Sequence, residues 1–151
     1  MDDVLHRETR RAYALEDLAV GMTAAYRHTV TDADVHTFAD LTGDHNPLHL
    51  DEAFARTTRF KGRVVHGMLS ASFFSTALAI MPGPGTVYLS QSLAFRAPVR
   101  IGDTVEARVT VSDIIAEKGR VLLKTQCLVG DTVVVDGEAM ALVPSRAAAR
   151  A

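Results

Sequence analysis

Residues 43–51, with the sequence GDHNPLHLD, bring two histidines, two aspartates, an asparagine and a proline into one short stretch. Asn-Pro and Asp are common turn formers, so a solvated surface turn explains much of the pattern. Carboxylate and imidazole groups are also frequent agents of proton transfer and frequent metal ligands. The stretch therefore allows three interpretations: a turn, a metal site or an acid–base pair.

An acid–base pair would use Asp44 and His49, which lie five residues apart across a turn that Pro47 stiffens. That spacing can aim a carboxylate and an imidazole into one cleft, where the two can deprotonate a water molecule and supply a proton elsewhere. Apolar surroundings would tune such a pair by removing solvent from it.

A metal site would draw on five residues with ligand side chains: Asp44, His45, His49, Asp51 and His66. The sequence has no H-E-x-x-H motif and no cysteine pair, and the proline interrupts a helical i, i+4 presentation of two imidazoles. These features argue against a bound metal.

A second candidate feature is the apolar segment 66–81, HGMLSASFFSTALAIM, whose length favours a helix and whose composition favours burial. Gly67 begins this helix, where free N–H groups and the positive end of the helix dipole can hold an oxyanion. A tight junction between loop and helix explains Gly67 equally well. Ser75 lies two turns further along, where a serine most often bonds back to its own helix.

The remaining segments predict a sheet. A strand over residues 22–30 precedes a helix that Thr31 caps and Gly43 ends. After the apolar helix, strands are predicted over the ranges 86–96, 104–115, 120–129 and 132–143. This order predicts an α+β fold in which an antiparallel β-sheet wraps around a long central α-helix.

Bulk properties limit the function classes. The chain has 151 residues, a net charge of −2 and scattered basic residues, which leaves no electrostatic footprint for nucleic acid. It has one cysteine, Cys127, residues 1–15 lack the apolar core of a signal peptide, and no apolar run approaches the ~20 residues that cross a bilayer. We therefore expect a cytoplasmic protein without membrane contact. One domain over residues 17–144 is predicted between a tail or arm, 1–16, and a tail, 145–151.

Residues 38–74, FADLTGDHNPLHLDEAFARTTRFKGRVVHGMLSASFF, strongly resemble the hydratase signature of the MaoC-like family, especially the (R)-specific enoyl-CoA hydratases. The shared parts are the D-x-N-P-x-H-x-D run and the V-H-G-M-L run that begins the apolar helix. Residues 88–103, YLSQSLAFRAPVRIGD, resemble the strand and turn that follow this helix in the family. Only the two tails fall outside the resemblance.

The resemblance implies a hot-dog fold, usually assembled as a homodimer. Asp44 and His49 match the catalytic dyad that holds and activates water, and Gly67 matches the residue whose backbone N–H holds the thioester carbonyl. Supporting positions fall to three residues: Ser75, Asn46 and His66. Ser70 stands where the family more often has a bulky aliphatic residue. Which dyad residue is the acid and which the base stays open.

The implied reaction is reversible hydration of a trans-2-enoyl-CoA to the (R)-3-hydroxyacyl-CoA by a carbon–oxygen lyase that needs no metal or redox cofactor. CoA, or the phosphopantetheine of an acyl-carrier protein, is then the handle of the substrate. Its phosphates could meet five basic residues: Arg59, Lys61, Arg63, Arg96 and Arg100. The alternatives are a dehydratase for carrier-bound or specialised biosynthetic thioesters, a thioesterase, and a non-catalytic module that binds acyl thioesters.

Overall fold

The computed structural model describes residues 12–149. Six antiparallel strands form one sheet in the order β1-β4-β5-β6-β2, and the short β3 pairs with β6. The strands are β1 (Thr23–Thr29), β2 (Val87–Gln91), β3 (Ala94–Phe95), β4 (Thr104–Ile115), β5 (Arg120–Val129) and β6 (Thr132–Leu142). The helices are α1 (Asp32–Thr42), α2 (Pro47–Leu50), α3 (Glu52–Arg56), the central helix α4 (Gly67–Ile80) and α5 (Arg146–Ala149), with 3-10 helices at Leu15–Asp17 and Ala116–Lys118.

Alternating side chains in the long strands place the core between the sheet and the central helix. In β4 the apolar residues Val105, Ala107, Val109 and Val111 are buried, and polar residues between them face outward. The central helix lies against β4 and β1, its main contacts in the sheet. The predicted α+β architecture, an antiparallel sheet wrapped around one long helix, is confirmed.

The sheet covers only one side of the central helix. Phe74, Ala77 and Leu78 are buried, as the apolar pattern predicts. An exposed row runs along the opposite side of the helix: Met68, Ser72, Ser75 and Ala79. The sequence predicted a buried helix, but in the part of the chain that the structure describes one side of this helix is exposed, because one sheet can wrap only one side of it.

The single strand predicted over residues 86–96 is interrupted between β2 and β3. The amide of Ser92 donates to the carbonyl of Glu138 at 2.9 Å. The Ser92 carbonyl approaches Gly137 so closely that a Cβ at that position would lie 1.8 Å from its oxygen. Only glycine permits this approach. The interruption thus depends on Gly137 of β6, and a pattern within residues 86–96 cannot predict a contact with another strand.

The two ends of the described chain lie together. The amide of Leu15, a buried residue, donates to the carbonyl of Pro144 at 3.0 Å. Arg146 forms an ion pair with Asp17 at 2.8 Å. Residues 1–11 and 150–151 of the predicted tails lie outside the described residues, and the domain boundaries at 17 and 144 stay predictions. Among residues 12–149, no helix has the length and apolar character needed to cross a membrane.

Candidate active site

Local capping fixes the connection that carries the motif. Helix α1 ends at Gly43, whose positive φ of 82° turns the chain out of the helix. Asn46 then caps α2, since its side-chain oxygen accepts a hydrogen bond from the amide of Leu48 at 3.0 Å. Pro47 occupies the first helical position, where an N–H is not needed. His49 therefore projects from one helical turn, where the sequence predicted a plain turn.

The imidazole of His49 is held in one tautomer. Its Nδ1 lies 2.8 Å from the carbonyl oxygen of Val64, and because a carbonyl can only accept, the bond assigns the ring proton to Nδ1. In the neutral ring the lone pair is then on Nε2, which is the atom that can accept a proton. The carbonyl of His49 accepts from Nε of Arg63 at 2.7 Å, and Arg63 pairs with Asp32 at 2.7 Å. The helical turn that carries His49 is thus tied to two other parts of the chain.

His66 supports both members of the predicted dyad. It is the N-cap residue of the central helix and only 2% exposed. Its Nε2 donates to the backbone carbonyl of Asp44 at 3.2 Å, and its ring centroid lies 4.0 Å from that of His49. Burial lowers the pKa of His66 below its usual value, which favours the neutral ring. No local pattern predicts the contact with Asp44, because it joins distant parts of the chain.

Asp44, His49 and His66 offer a carboxylate oxygen and two ring nitrogens that lie within 4.8 Å of one another. A divalent metal accepts such a donor set. The Nε2 of His66 already donates to the Asp44 carbonyl, so a metal bound through this atom would break that bond. The geometry suits a proton-transfer site in which His66 positions the other two residues.

The other two residues with predicted ligand side chains have local roles. His45 Nε2 lies 3.0 Å from a carboxylate oxygen of Asp40, and this hydrogen bond raises the pKa of His45. Asp51 caps α3 by accepting from the amide of Phe54 at 3.1 Å. Neither joins the cluster formed by Asp44, His49 and His66.

The cluster opens into a cavity of ≈ 390 Å³. Three buried residues, Val65, Val99 and Val135, supply an apolar wall, and Asp44 and His49 supply polar groups. Aromatic and cationic side chains line it as well: Arg59, Phe60, Phe95 and Arg96. An apolar cavity with a few convergent polar groups is typical of a small-molecule site.

Gly67 lines the same cavity at the N-terminal end of the central helix. Amide groups in the first turn of a helix have no partner within it and can donate to a bound oxyanion. A Cβ at Gly67 would lie 2.6 Å from the ring of Phe95, so glycine is needed here for the aromatic ring to approach. Phe95 was not among the predicted site residues, because its contact with the helix start is long-range.

A second cavity of ≈ 640 Å³ runs along the exposed side of the central helix and is also lined by Asp44. Ser72 and Ser75 of the helix and Tyr88 and Gln91 of β2 contribute to its wall. Burial raises the pKa of Tyr88 to about 12, so its phenol is neutral. Ser75 and Asp44 line this cavity together, but no hydrogen bond joins them within residues 12–149. The support of the dyad by Ser75 stays a prediction.

Comparison with known proteins identifies the family. The family described as MaoC like domain matches residues 19–134. The chain belongs to the MaoC-like family. This MaoC-like chain is 49% identical over 132 residues to an (R)-specific enoyl-CoA hydratase of Rhodospirillum rubrum. The match covers 87% of the chain and 92% of that protein. It is 49% identical over 137 residues to a 3-hydroxybutyryl-CoA dehydratase of Methylorubrum extorquens, over 90% of the chain and 87% of that protein.

A solved structure supports the same assignment at the level of the fold. The MaoC-like chain matches the (R)-hydratase of Aeromonas caviae with a TM-score of 0.83 and 44% identity, over 85% of the chain and 99% of that structure. The family resemblance inferred from the motifs is thereby confirmed, and with it the hot-dog fold.

Proposed function

We propose that this MaoC-like protein is a carbon–oxygen lyase that catalyses the reversible, (R)-specific hydration of a trans-2-enoyl-CoA to the (R)-3-hydroxyacyl-CoA. The observation that carries the proposal is the convergence of Asp44, His49 and the start of the central helix at Gly67 on one cavity. Similarity to an (R)-specific enoyl-CoA hydratase and to a 3-hydroxybutyryl-CoA dehydratase supports the substrate class and the configuration of the product.

In this mechanism Asp44 and His49 act together as the acid–base pair, and the Nε2 atom of His49 is the ring atom that can accept a proton. A water molecule held between Nε2 and the Asp44 carboxylate gives up a proton to this pair as its oxygen bonds to Cβ of the substrate. The electrons of the double bond move toward the thioester oxygen and form an enolate. Return of a proton from the pair to Cα completes the addition of one water. The two residues act as one coupled unit, so neither carries the proton alone.

The enolate needs stabilisation at the thioester oxygen. The backbone N–H of Gly67 donates to this oxygen, and the positive end of the helix dipole adds to the effect. Polarisation of the carbonyl also withdraws electrons from Cβ, which favours attack by water. A fixed donor at the start of a helix reorganises little during the reaction, which is why such donors are effective.

The proposed reaction needs no organic redox cofactor, because adding water to a polarised double bond transfers no electrons to or from a third group. It is proposed to use no metal ion either, since the Nε2 atom of His66 is already engaged by the carbonyl of Asp44. CoA enters as part of the substrate. A cytoplasmic location fits the single cysteine, Cys127, which is free and buried.

We further infer a homodimer. Among residues 12–149, strand β2 ends the sheet order and pairs only with β6, which leaves one of its edges unpaired there. Its side chains Val87, Tyr88 and Leu89 are 49%, 38% and 43% exposed. Pairing β2 with its copy in a second chain would satisfy the free backbone groups and cover these side chains. The exposed side of the central helix, next to β2 along the second cavity, would become part of the same interface.

Crotonyl-CoA tests the hydratase activity through the loss of enoyl-thioester absorbance and the configuration of the product. After dialysis against EDTA, the wild type is expected to form (R)-3-hydroxybutyryl-CoA. Asp44→Asn and His49→Ala are expected to be slower by about 10²- to 10⁴-fold, as for loss of general acid–base groups. Asp40→Asn is a matched control, because Asp40 is an exposed carboxylate outside the cavity.

Three other outcomes would reject the proposal. Release of free thiol would indicate a thioesterase. Binding of enoyl thioesters of every tested chain length without turnover would indicate a binding module. Turnover that disappears with EDTA and returns with a divalent metal would replace the proton-transfer mechanism with a metal-dependent one.

A further inference from the structure

The five basic residues that could meet the phosphates of CoA differ in whether another group already uses their charge. Arg63 is engaged by Asp32 at 2.7 Å and by the carbonyl of His49 at 2.7 Å. The guanidinium of Arg100 donates to three backbone carbonyls of the loop 60–63, at 2.6–3.2 Å. Both side chains hold the backbone beside the motif, and their charge is used there.

Two more of the five are less suited to phosphate. Arg96 lines the cavity, but its Nε lies 3.1 Å from Asp136, which offsets its charge. Lys61 is exposed and does not line the cavity. Arg59 is the remaining candidate.

Arg59 lines the cavity and is also exposed, which places it at the rim. Its guanidinium carbon lies 4.8 Å from the centroid of the Phe60 ring, a cation–π contact. Within residues 12–149 no carboxylate forms an ion pair with it. Arg59 therefore offers the cavity a cation whose charge is not offset.

We propose that Arg59 binds phosphate at the end of the pantetheine arm of the substrate. The inference rests on the proposed function, since it requires a pantetheine thioester in the cavity. The arm is uncharged, with the thioester at one end and phosphate at the other. The cavity offers groups for both ends of the arm, since Asp44 and His49 line it together with the exposed cation of Arg59.

The contact with Phe60 prepares the guanidinium for this role. Stacking uses the face of a guanidinium group and leaves the in-plane N–H donors free, and these match two phosphate oxygens at once. The Phe60 carbonyl accepts from Arg100 at 2.6 Å, so the backbone next to Arg59 is fixed. Less conformational freedom is then lost on binding.

Two substrates can bring this phosphate. CoA carries a diphosphate next to the arm and a 3′-phosphate on its ribose, whereas a carrier protein holds the arm through one phosphodiester. Both place phosphate next to the arm, and only CoA adds the nucleotide phosphates. Kinetics with both thioesters and with crotonyl-pantetheine, which has no phosphate, distinguish the sources.

Arg59→Ala is expected to raise KM for crotonyl-CoA about tenfold and to leave kcat within about twofold. It should leave the kinetics of crotonyl-pantetheine unchanged, and Arg59→Lys should restore part of the affinity. The matched control is Arg56→Ala, since Arg56 is exposed, pairs with Glu52 at 3.3 Å and does not line the cavity. Its KM values should equal those of the wild type.

An equal rise in KM for crotonyl-CoA and carrier-bound crotonate would assign Arg59 to the phosphate next to the arm. A rise for crotonyl-CoA alone would assign it to the nucleotide phosphates. An unchanged KM for crotonyl-CoA, or an equal loss with crotonyl-pantetheine, would overturn the proposal. Titration calorimetry with CoA separates it from the hydratase function: without any turnover, a tenfold weaker Kd in Arg59→Ala still supports the phosphate site, and an unchanged Kd rejects it.

Discussion

The rings of His49 and His66 lie 4.0 Å apart between centroids, with 32° between their planes, and each donates one ring proton to a backbone carbonyl. The acceptors belong to Val64 and Asp44. Two protonated rings at this distance repel each other. Burial first, and then the neighbouring His49, lower the pKa of His66. The arrangement favours a neutral His66 ring beside His49.

The lowered pKa of His66 predicts a loss of stability toward acid pH. Below about pH 6.5, the ordinary pKa of histidine, the unfolded chain binds a proton at this position and the folded protein resists it. The free energy of unfolding then falls with pH, by at most about 1.4 kcal/mol per pH unit for one group. Melting temperatures between about pH 5 and 8 should fall less steeply toward acid for His66→Gln than for the wild type.

His45 is a control with the opposite sign. Its bond to Asp40 raises the pKa of His45, so the folded protein holds this proton more tightly than the unfolded chain does. This stabilisation is fully present below the unfolded pKa and is lost as the pH rises through the folded value. His45→Gln should therefore lower stability at acid pH and not at alkaline pH. For His66, the contradicting result is a His66→Gln variant whose melting temperature falls toward acid pH as steeply as that of the wild type. The folded protein would then not hold His66 uncharged.

Asn46 is expected to affect both stability and turnover, because it caps the helix that carries His49. Asn46→Ala should lower the free energy of unfolding by about 1 kcal/mol and reduce kcat by about tenfold or more, since His49 loses its fixed position. Urea denaturation and steady-state kinetics measure the two effects. Asp51→Ala removes the cap of the next helix, α3, and should cost similar stability with little change in kcat. Equal losses of kcat in the two variants would mean that Asn46 acts through stability alone.

Gly67→Ala is expected to destabilise the protein, because the new Cβ would lie 2.6 Å from the ring of Phe95. Overpacking of this kind costs about 1–3 kcal/mol. Adding Phe95→Ala should recover stability, and the double-mutant cycle should give an interaction energy of about 0.5–3 kcal/mol. If kcat stays low in the double variant, the Cβ also obstructs the thioester. Additive effects on the melting transition would contradict the role of the ring.

Leu89→Asp is expected to convert the proposed dimer into a monomer. The change puts a carboxylate on the exposed edge strand β2, where it would be buried without a partner in the interface. Light scattering after size-exclusion chromatography measures the mass. Val20→Asp is the control, since Val20 is 65% exposed and precedes β1 at the other edge of the sheet. A wild-type monomer, or a dimer that Val20→Asp dissociates equally well, would count against pairing through β2.

The parts of the site that local chemistry determines could be predicted from the sequence. The stop at Gly43 and the capped helix before it follow from residues next to each other, and both are found as expected. The start of the central helix at Gly67 follows from the apolar run after it. The dyad candidates Asp44 and His49 lie on one cavity, in agreement with the spacing across the motif.

Contacts between distant segments could not be predicted in the same way. The bond from His66 to the carbonyl of Asp44 and the approach of Phe95 to Gly67 depend on how the central helix docks against loop and sheet. The exposure of Ser75 depends on which side of the helix the sheet covers, and an all-apolar pattern does not encode that side. Hydrophobic periodicity reports burial of a face, whereas these contacts depend on the packing of whole elements.

The three hydrogen bonds from Arg100 to the loop 60–63 have a consequence for engineering the protein. If this loop is replaced by the loop of a relative, the new loop keeps the same shape only when two conditions hold. Residue 100 must carry a guanidinium group, and the backbone carbonyls of the new loop must lie within its reach. Without them, a half-buried cation loses its acceptors, and such losses cost about 1–3 kcal/mol or more. The loop 60–63 and the turn before β4 therefore have to be transplanted together, although the central helix and strands β2 and β3 lie between them in the chain.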